Sequence, residues 1–135
     1  MSDMSKPAFI PMLYLKHEEG HAALEFYKKA FNAVEYRRFD NDDGTIHIAE
    51  LQMGGTMFRF HEENPSKQQS SPHTCGTSTV GIHLMVDDPD AIMAKAVSAG
   101  AKMLSPMQDY FYGYRQGEMV DPFGHFWTLE KVIDK

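Results

Sequence analysis

Cysteine occurs once in these 135 residues, at Cys75, so an internal disulfide cannot form and a small disulfide-stapled secreted fold is excluded. Lying in a Ser/Thr/Gly stretch, that lone thiol fits a reducing compartment and reads as a bystander rather than a nucleophile. Cations are also short. Against 19 Asp and Glu stand 13 Lys and Arg, a formal net charge of −6, and they form no stripe of the kind that grips a phosphate backbone. Hydrophobic residues make up 42% of the chain, yet no apolar run approaches the ~20 residues of a membrane span. Residues 1–7 lack the apolar segment of a signal peptide. A glycine-rich turn opening from a strand onto a helix is missing too, because Gly54 and Gly55 sit between two strand patterns, which argues against S-adenosylmethionine binding. These absences lead to the expectation of a cytoplasmic protein with neither nucleic-acid nor membrane partners.

What is present suits one domain spanning residues 1–135, long enough to bury about two-thirds of the surface its unfolded chain exposes. Residues 9–15 (FIPMLYL) read as a first strand, with Pro11 marking an edge or a bulge. From His21 the period changes. Ala23, Phe26, Tyr27, Ala30 and Phe31 recur at three and four spacing, the pattern of an amphipathic helix, and Asn32 is its stop. Strands follow at 34–39, 45–53 and 56–61, separated by the turn at 41–44 and the Gly54-Gly55 hairpin. Residues 63–78 are polar, broken by Pro65 and Pro72, and read as a surface connection.

The order then repeats. Residues 79–86 (TVGIHLMV) form a strand, and Asp88 caps a helix that carries Pro89 in its first position and ends at Gly100. A short strand at 102–104 precedes a hairpin with arms at 117–120 and 125–130, turned by Asp121, Pro122 and Gly124. A displacement of about 68 residues superposes the two halves. The expected architecture is therefore α+β: two βαβββ modules, at about 8–62 and 79–132, joined by a linker at 63–78, with curved mixed sheets enclosing a cavity.

Three segments carry a resemblance to a known family. They are ALEFYKKAF at 23–31, IHIAELQMGG at 46–55, and YGYR at 112–115 followed by DPFGHFW at 121–127. The chain resembles the vicinal oxygen chelate superfamily of glyoxalase I, bleomycin-resistance proteins and extradiol dioxygenases, and more closely its PhnB-like branch. The resemblance implies paired βαβββ modules and a homodimer. In metal-dependent members, ligands come from the first and last strand of each module. Those positions fall near Ile10 or Met12, Phe60, Gly81 and Thr128, none a good metal ligand, so no cofactor is expected. Glu62, His83 and Glu130 lie one pleat further along and form the alternative, displaced metal set.

The residues expected to meet a ligand are Arg115, His83, Tyr112, Tyr14, Phe60, Phe126, Thr128 and Glu50. Arg115 can grip an anion in two places and stack on neighbouring tyrosines, or else be bound in a salt bridge to Glu118 or Glu50. His83 is either a base or ligand, or a satisfied wall histidine. Glu50, in an otherwise apolar strand, must be paired, protonated or near water, and bracing of the strand pair is favoured over chemistry. His125 is expected to serve the turn. The function that follows is metal-independent binding of a small apolar or anionic molecule. The alternative is a divalent-metal lyase, isomerase or dioxygenase-like enzyme.

Overall fold

A computed structural model of the chain describes residues 6–133. Most of the 1–7 segment read above for a signal peptide thus lies outside the described residues. The first half runs β1 (Met12–Leu15), α1 (Gly20–Phe31), β2 (Val34–Asp40), β3 (Ile46–Met53) and β4 (Thr56–Glu62). A 3₁₀ turn (Pro65–Lys67) and a single-turn α2 (Pro72–Cys75) lead into β5 (Gly81–Met85), α3 (Pro89–Ser98), β6 (Lys102–Asp109), β7 (Tyr114–Val120) and β8 (Phe126–Val132). Each half makes one four-stranded mixed sheet, ordered β1-β4-β3-β2 and β5-β8-β7-β6. In each, the first strand lies parallel to the last and the other pairs are antiparallel.

Local chemistry accounts for the helix ends. Asn32 takes the left-handed conformation and its N–H closes on the Lys28 carbonyl, while Lys28 and Lys29 sit at the negative end of the α1 dipole. The Asp88 carboxylate accepts from the Ala91 N–H at 3.2 Å, capping α3 ahead of Pro89.

Alternation along the strands gives each sheet a helix-covered face and an open face. In the first sheet Leu13, Leu15, Ala49, Leu51, Phe58 and Phe60 are buried under α1. In the second, Met119, Trp127 and Leu129 are buried under α3. Since α1 also packs on α3, the two halves share one aromatic core, where the Phe31 and Trp127 ring centroids lie 4.7 Å apart.

Four expectations need revision. The first strand is confined to 12–15, because Pro11 offers no N–H to the ladder. The 102–104 strand extends to Asp109, since β7 begins at Tyr114 and supplies partners as far as Arg115. The 63–78 connection carries ordered structure, anchored by a fully buried Ser71 whose hydroxyl caps α2. Finally, the sheets do not close on one another within the chain, so neither encloses a cavity by itself.

Candidate functional site

The edge strands β1 and β5, with the connection above them, flank a cleft of about 840 Å³. Its walls are largely apolar, with Phe9, Ile10 and Met12 on one side and Val80 and Ile82 on the other. Phe9 is 99% exposed and Val80 is 66% exposed, so the mouth is hydrophobic. That volume lies within the range of about 300–1,000 Å³ typical of small-molecule sites.

Two histidines stand in this wall. His125 is buried, and its Nε2 sits 2.9 Å from the Tyr14 carbonyl, leaving it little freedom to meet a ligand. His83 is different. Its side chain is 57% exposed, while its Nδ1 lies 3.1 Å from Oε2 of the buried Glu130. The pairing holds the ring through Nδ1 and leaves Nε2 outside it. Behind it the polar line continues. Gln116 donates from Nε2 to Glu130 Oε1 at 2.6 Å, and the Tyr112 hydroxyl donates to Gln116 Oε1 at 2.7 Å. Tyr110 stacks on Tyr112 with ring centroids 5.3 Å apart. One open face therefore carries a connected His83–Glu130–Gln116–Tyr112 line, with Thr128 opposite His83 in the β5–β8 register.

The other expected site residues are distributed as follows. Tyr14 lines the cleft from β1. Phe126 and Thr128 lie on the open face and Trp127 and Leu129 on the covered one, the alternation expected of β8. Phe60 is a correction: it is 1% exposed and packs in the core beside Tyr27, because the pleat turns it toward α1. Arg115 also departs from expectation. Its Nε and Nη2 donate to the two oxygens of Asp90 at 2.8 and 2.7 Å, and its Nη1 donates to Asp109 at 2.9 Å. These partners, Asp90 first, push its pKa up, and the guanidinium serves to tie α3 to β6 and β7. Its partners are neither Glu118 nor Glu50. Glu50 braces strands as expected, accepting from Arg37 Nε on β2 and Arg59 Nε on β4, each at 2.8 Å.

Sequence reasoning missed one arrangement. Asp121 is buried and accepts four hydrogen bonds: Oδ1 from the N–H groups of Phe123 and His125, and Oδ2 from the Tyr27 hydroxyl at 2.5 Å and Trp127 Nε1 at 2.9 Å. Burial, then the Asp121 charge, pushes the Tyr27 phenol well above its ordinary range, so it stays protonated as a donor. The tyrosine of the first module's helix thereby meets the Asp-Pro turn of the second. The available signal is the joint presence of Phe26-Tyr27 in one module and Asp121-Pro122 in the other.

For metal binding, the donor set does not fit one chain. Glu62, a member of the displaced set, hydrogen-bonds to His17, His47 and Asn41 in the first module, on a different sheet from His83 and Glu130. Only two of the three proposed ligands meet. Among the described residues no group of three or more His, Cys, Asp or Glu is placed to hold a metal ion. A site of three or four donors is the usual requirement. Nor is any helix of the described residues long and apolar enough to cross a membrane.

Comparison with known proteins agrees with this architecture. An uncharacterized protein of Mycobacterium bovis is 35% identical over 131 residues, covering 95% of this chain and 85% of its own. The crystal structure of an Arabidopsis thaliana gene product superposes with a TM-score of 0.73 at 29% identity, covering 92% of this chain and 98% of that one. TioX from Micromonospora superposes at a TM-score of 0.70 with 23% identity over 93% of this chain and 100% of its own, a likeness of fold alone. The sequence profile of one superfamily matches residues 18–129. With that match, the repeated modules and the paired mixed sheets, the chain belongs to the Glyoxalase/Bleomycin resistance protein/Dioxygenase superfamily.

Proposed function

We propose that this chain is a PhnB-like, metal-independent binding protein that holds a small, mainly apolar molecule in the cleft between β1 and β5. The observation that carries this reading is the placement of His83, anchored by buried Glu130, in the wall of a mainly apolar cleft of about 840 Å³. An apolar guest gains by leaving water against Ile10, Met12 and Val80, at roughly 25 cal/mol per Å² buried. A single polar atom on that guest fixes its orientation by bonding His83. The neighbouring Arg37–Glu50–Arg59 group stands outside the cleft and is no part of this reading.

Homodimerisation belongs to the same proposal. Met85 is 51% and Val132 56% exposed on the open face of the second sheet, which has no cover within the chain. A second copy is the cover that supports this reading.

The experiment is a thermal-unfolding screen of chelator-treated protein against a library of apolar organic fragments, repeated on Val80→Arg and His83→Ala. Val80→Arg places a long cation in the mouth at an exposed position, so folding is retained. Fragments that raise Tm in the native chain are expected to lose their effect in Val80→Arg and to bind more weakly in His83→Ala. Hits that stabilise Val80→Arg equally would contradict the cleft as the site.

A further inference from the structure

The open face of the first sheet carries a second chemistry, independent of the cleft. Arg37 on β2 and Arg59 on β4 flank Glu50 on β3, each giving its Nε to a different carboxylate oxygen at 2.8 Å. Register puts these three side chains in one row across the sheet, since Arg37 pairs with Glu50 and Glu50 with Arg59. Among the described residues the sheet's other carboxylates fall on the opposite face or beyond the row: Glu35 is opposite Leu51, Glu62 is opposite Leu15, and Asp40, at the end of β2 opposite Ile46, pairs with Arg38. Two guanidiniums thus share one carboxylate, a local excess of one positive charge on a chain of net charge −6.

Burial makes the excess usable. Glu50's side chain is 10% exposed, whereas those of Arg37 and Arg59 are 61% and 33% exposed. Arg37 heads Glu50's partners, and despite opposing burial the two arginines hold its carboxyl below the usual range. The carboxylate is therefore a fixed brace: it orients both guanidiniums through Nε and leaves their terminal amino groups outside the pairing. Those groups present the planar, doubly donating geometry that matches an oxyanion. Beside them on the same face lie Phe39, which is 62% exposed, and Ile48, its cross-strand partner.

We infer that the Arg37–Glu50–Arg59 row is an oxyanion-binding site, taking a carboxylate, phosphonate or phosphate group whose attached apolar body lies on Phe39 and Ile48. The probes are phenylphosphonate, benzoate and inorganic phosphate, titrated calorimetrically into the full chain at low ionic strength. Phenylphosphonate binds saturably and several-fold more tightly than phosphate. Arg37→Gln, at an exposed position, neutralises the excess and weakens phenylphosphonate about tenfold. Arg38→Gln, whose side chain pairs with Glu35 and Asp40, leaves the affinity unchanged. No saturable binding by the native chain, or equal losses in Arg37→Gln and Arg38→Gln, would overturn the site. Equal affinity for phosphate and phenylphosphonate would overturn the apolar part of the assignment. Because all probes are read against Arg37 rather than Val80 or His83, failure here is separable from failure of the cleft.

Discussion

Asp121 shows how much a single carboxylate does when it is enclosed. Its two oxygens take four donors, two from its own turn and two from aromatic side chains, one of them in the other module. Replacing it by Asn turns one oxygen into a donor that faces other donors. Asp121→Asn is therefore expected to lose several kcal/mol, more than Tyr27→Phe, which removes one donor and should cost about 1–3 kcal/mol. Urea unfolding of both variants checks the order, and equal losses would contradict the clasp. At this scale the sequence was partly legible. The turn chemistry of Asp121 and the bracing role of Glu50 followed from residue type and strand context, and Phe126 and Trp127 fell on the opposite faces that alternation assigns them. Arg115 was not legible, because Asp90 lies 25 residues away on a helix and only the docking of α3 brings it near.

Among the elements, the turns and the connection between the halves hold the site in shape. Gly124 has φ +92°, and a Cβ there would meet the Pro72 Cβ at 2.6 Å, because α2 packs directly over the β7–β8 turn. Gly124→Ala is expected to destabilise by more than about 1 kcal/mol through the left-handed backbone alone, with the α2 contact adding to it. A change in Tm indistinguishable from zero would show that α2 moves aside at no cost.

A second device lies at the end of the first sheet. There His17 bonds Glu62 through Nδ1, and its Nε2 lies 3.3 Å from Asp43 in the 41–44 turn. The hydrogen bond to Glu62 is the main cause that raises its pKa above the ordinary value of about 6.5. A raised folded pKa means stability that is fully present below the ordinary value and is lost as pH rises through the folded one. Glu62 runs the other way: despite opposing burial, its hydrogen bonds, His17 first, hold it below the usual range, so its contribution is lost as pH falls. The Tm difference between the native chain and His17→Gln should thus be largest between the carboxylate range and the ordinary histidine value, and should shrink as pH rises. A difference that does not vary with pH would contradict the latch. Helices α1 and α3 and all eight strands were legible from periodicity and caps, though β1, β6 and β7 have other bounds than expected. The α2 turn was not, since its four residues carry no period and its stability comes from Ser71, Glu63 and the turn beneath it.

For the whole molecule, the repeat was readable because each half uses the same order of strand, helix and three strands. How the halves meet was not. The aromatic core between α1 and α3 is made by side chains that each half's own pattern already assigned to burial, so nothing in the periodicity specified the partner. The open faces follow from that packing. With both helices on the shared core, the opposite faces of both sheets are left to solvent or to a second copy. Analytical ultracentrifugation should find a dimer at micromolar concentration, and Met85→Glu should shift it toward monomer. A native chain that sediments as a monomer at every concentration would contradict the proposed assembly.

The central claim, binding of an organic molecule without a metal, is tested most directly by thermal unfolding of chelator-stripped protein. Mg²⁺, Mn²⁺, Zn²⁺, Ni²⁺ and Fe²⁺ are added one at a time, alongside the strongest organic hit from the cleft screen. The account predicts a saturable rise in Tm with the organic compound, and none with any ion beyond that seen in His83→Ala. A saturable rise with one metal ion that disappears in His83→Ala would contradict it and place a metal at the His83–Glu130 pair.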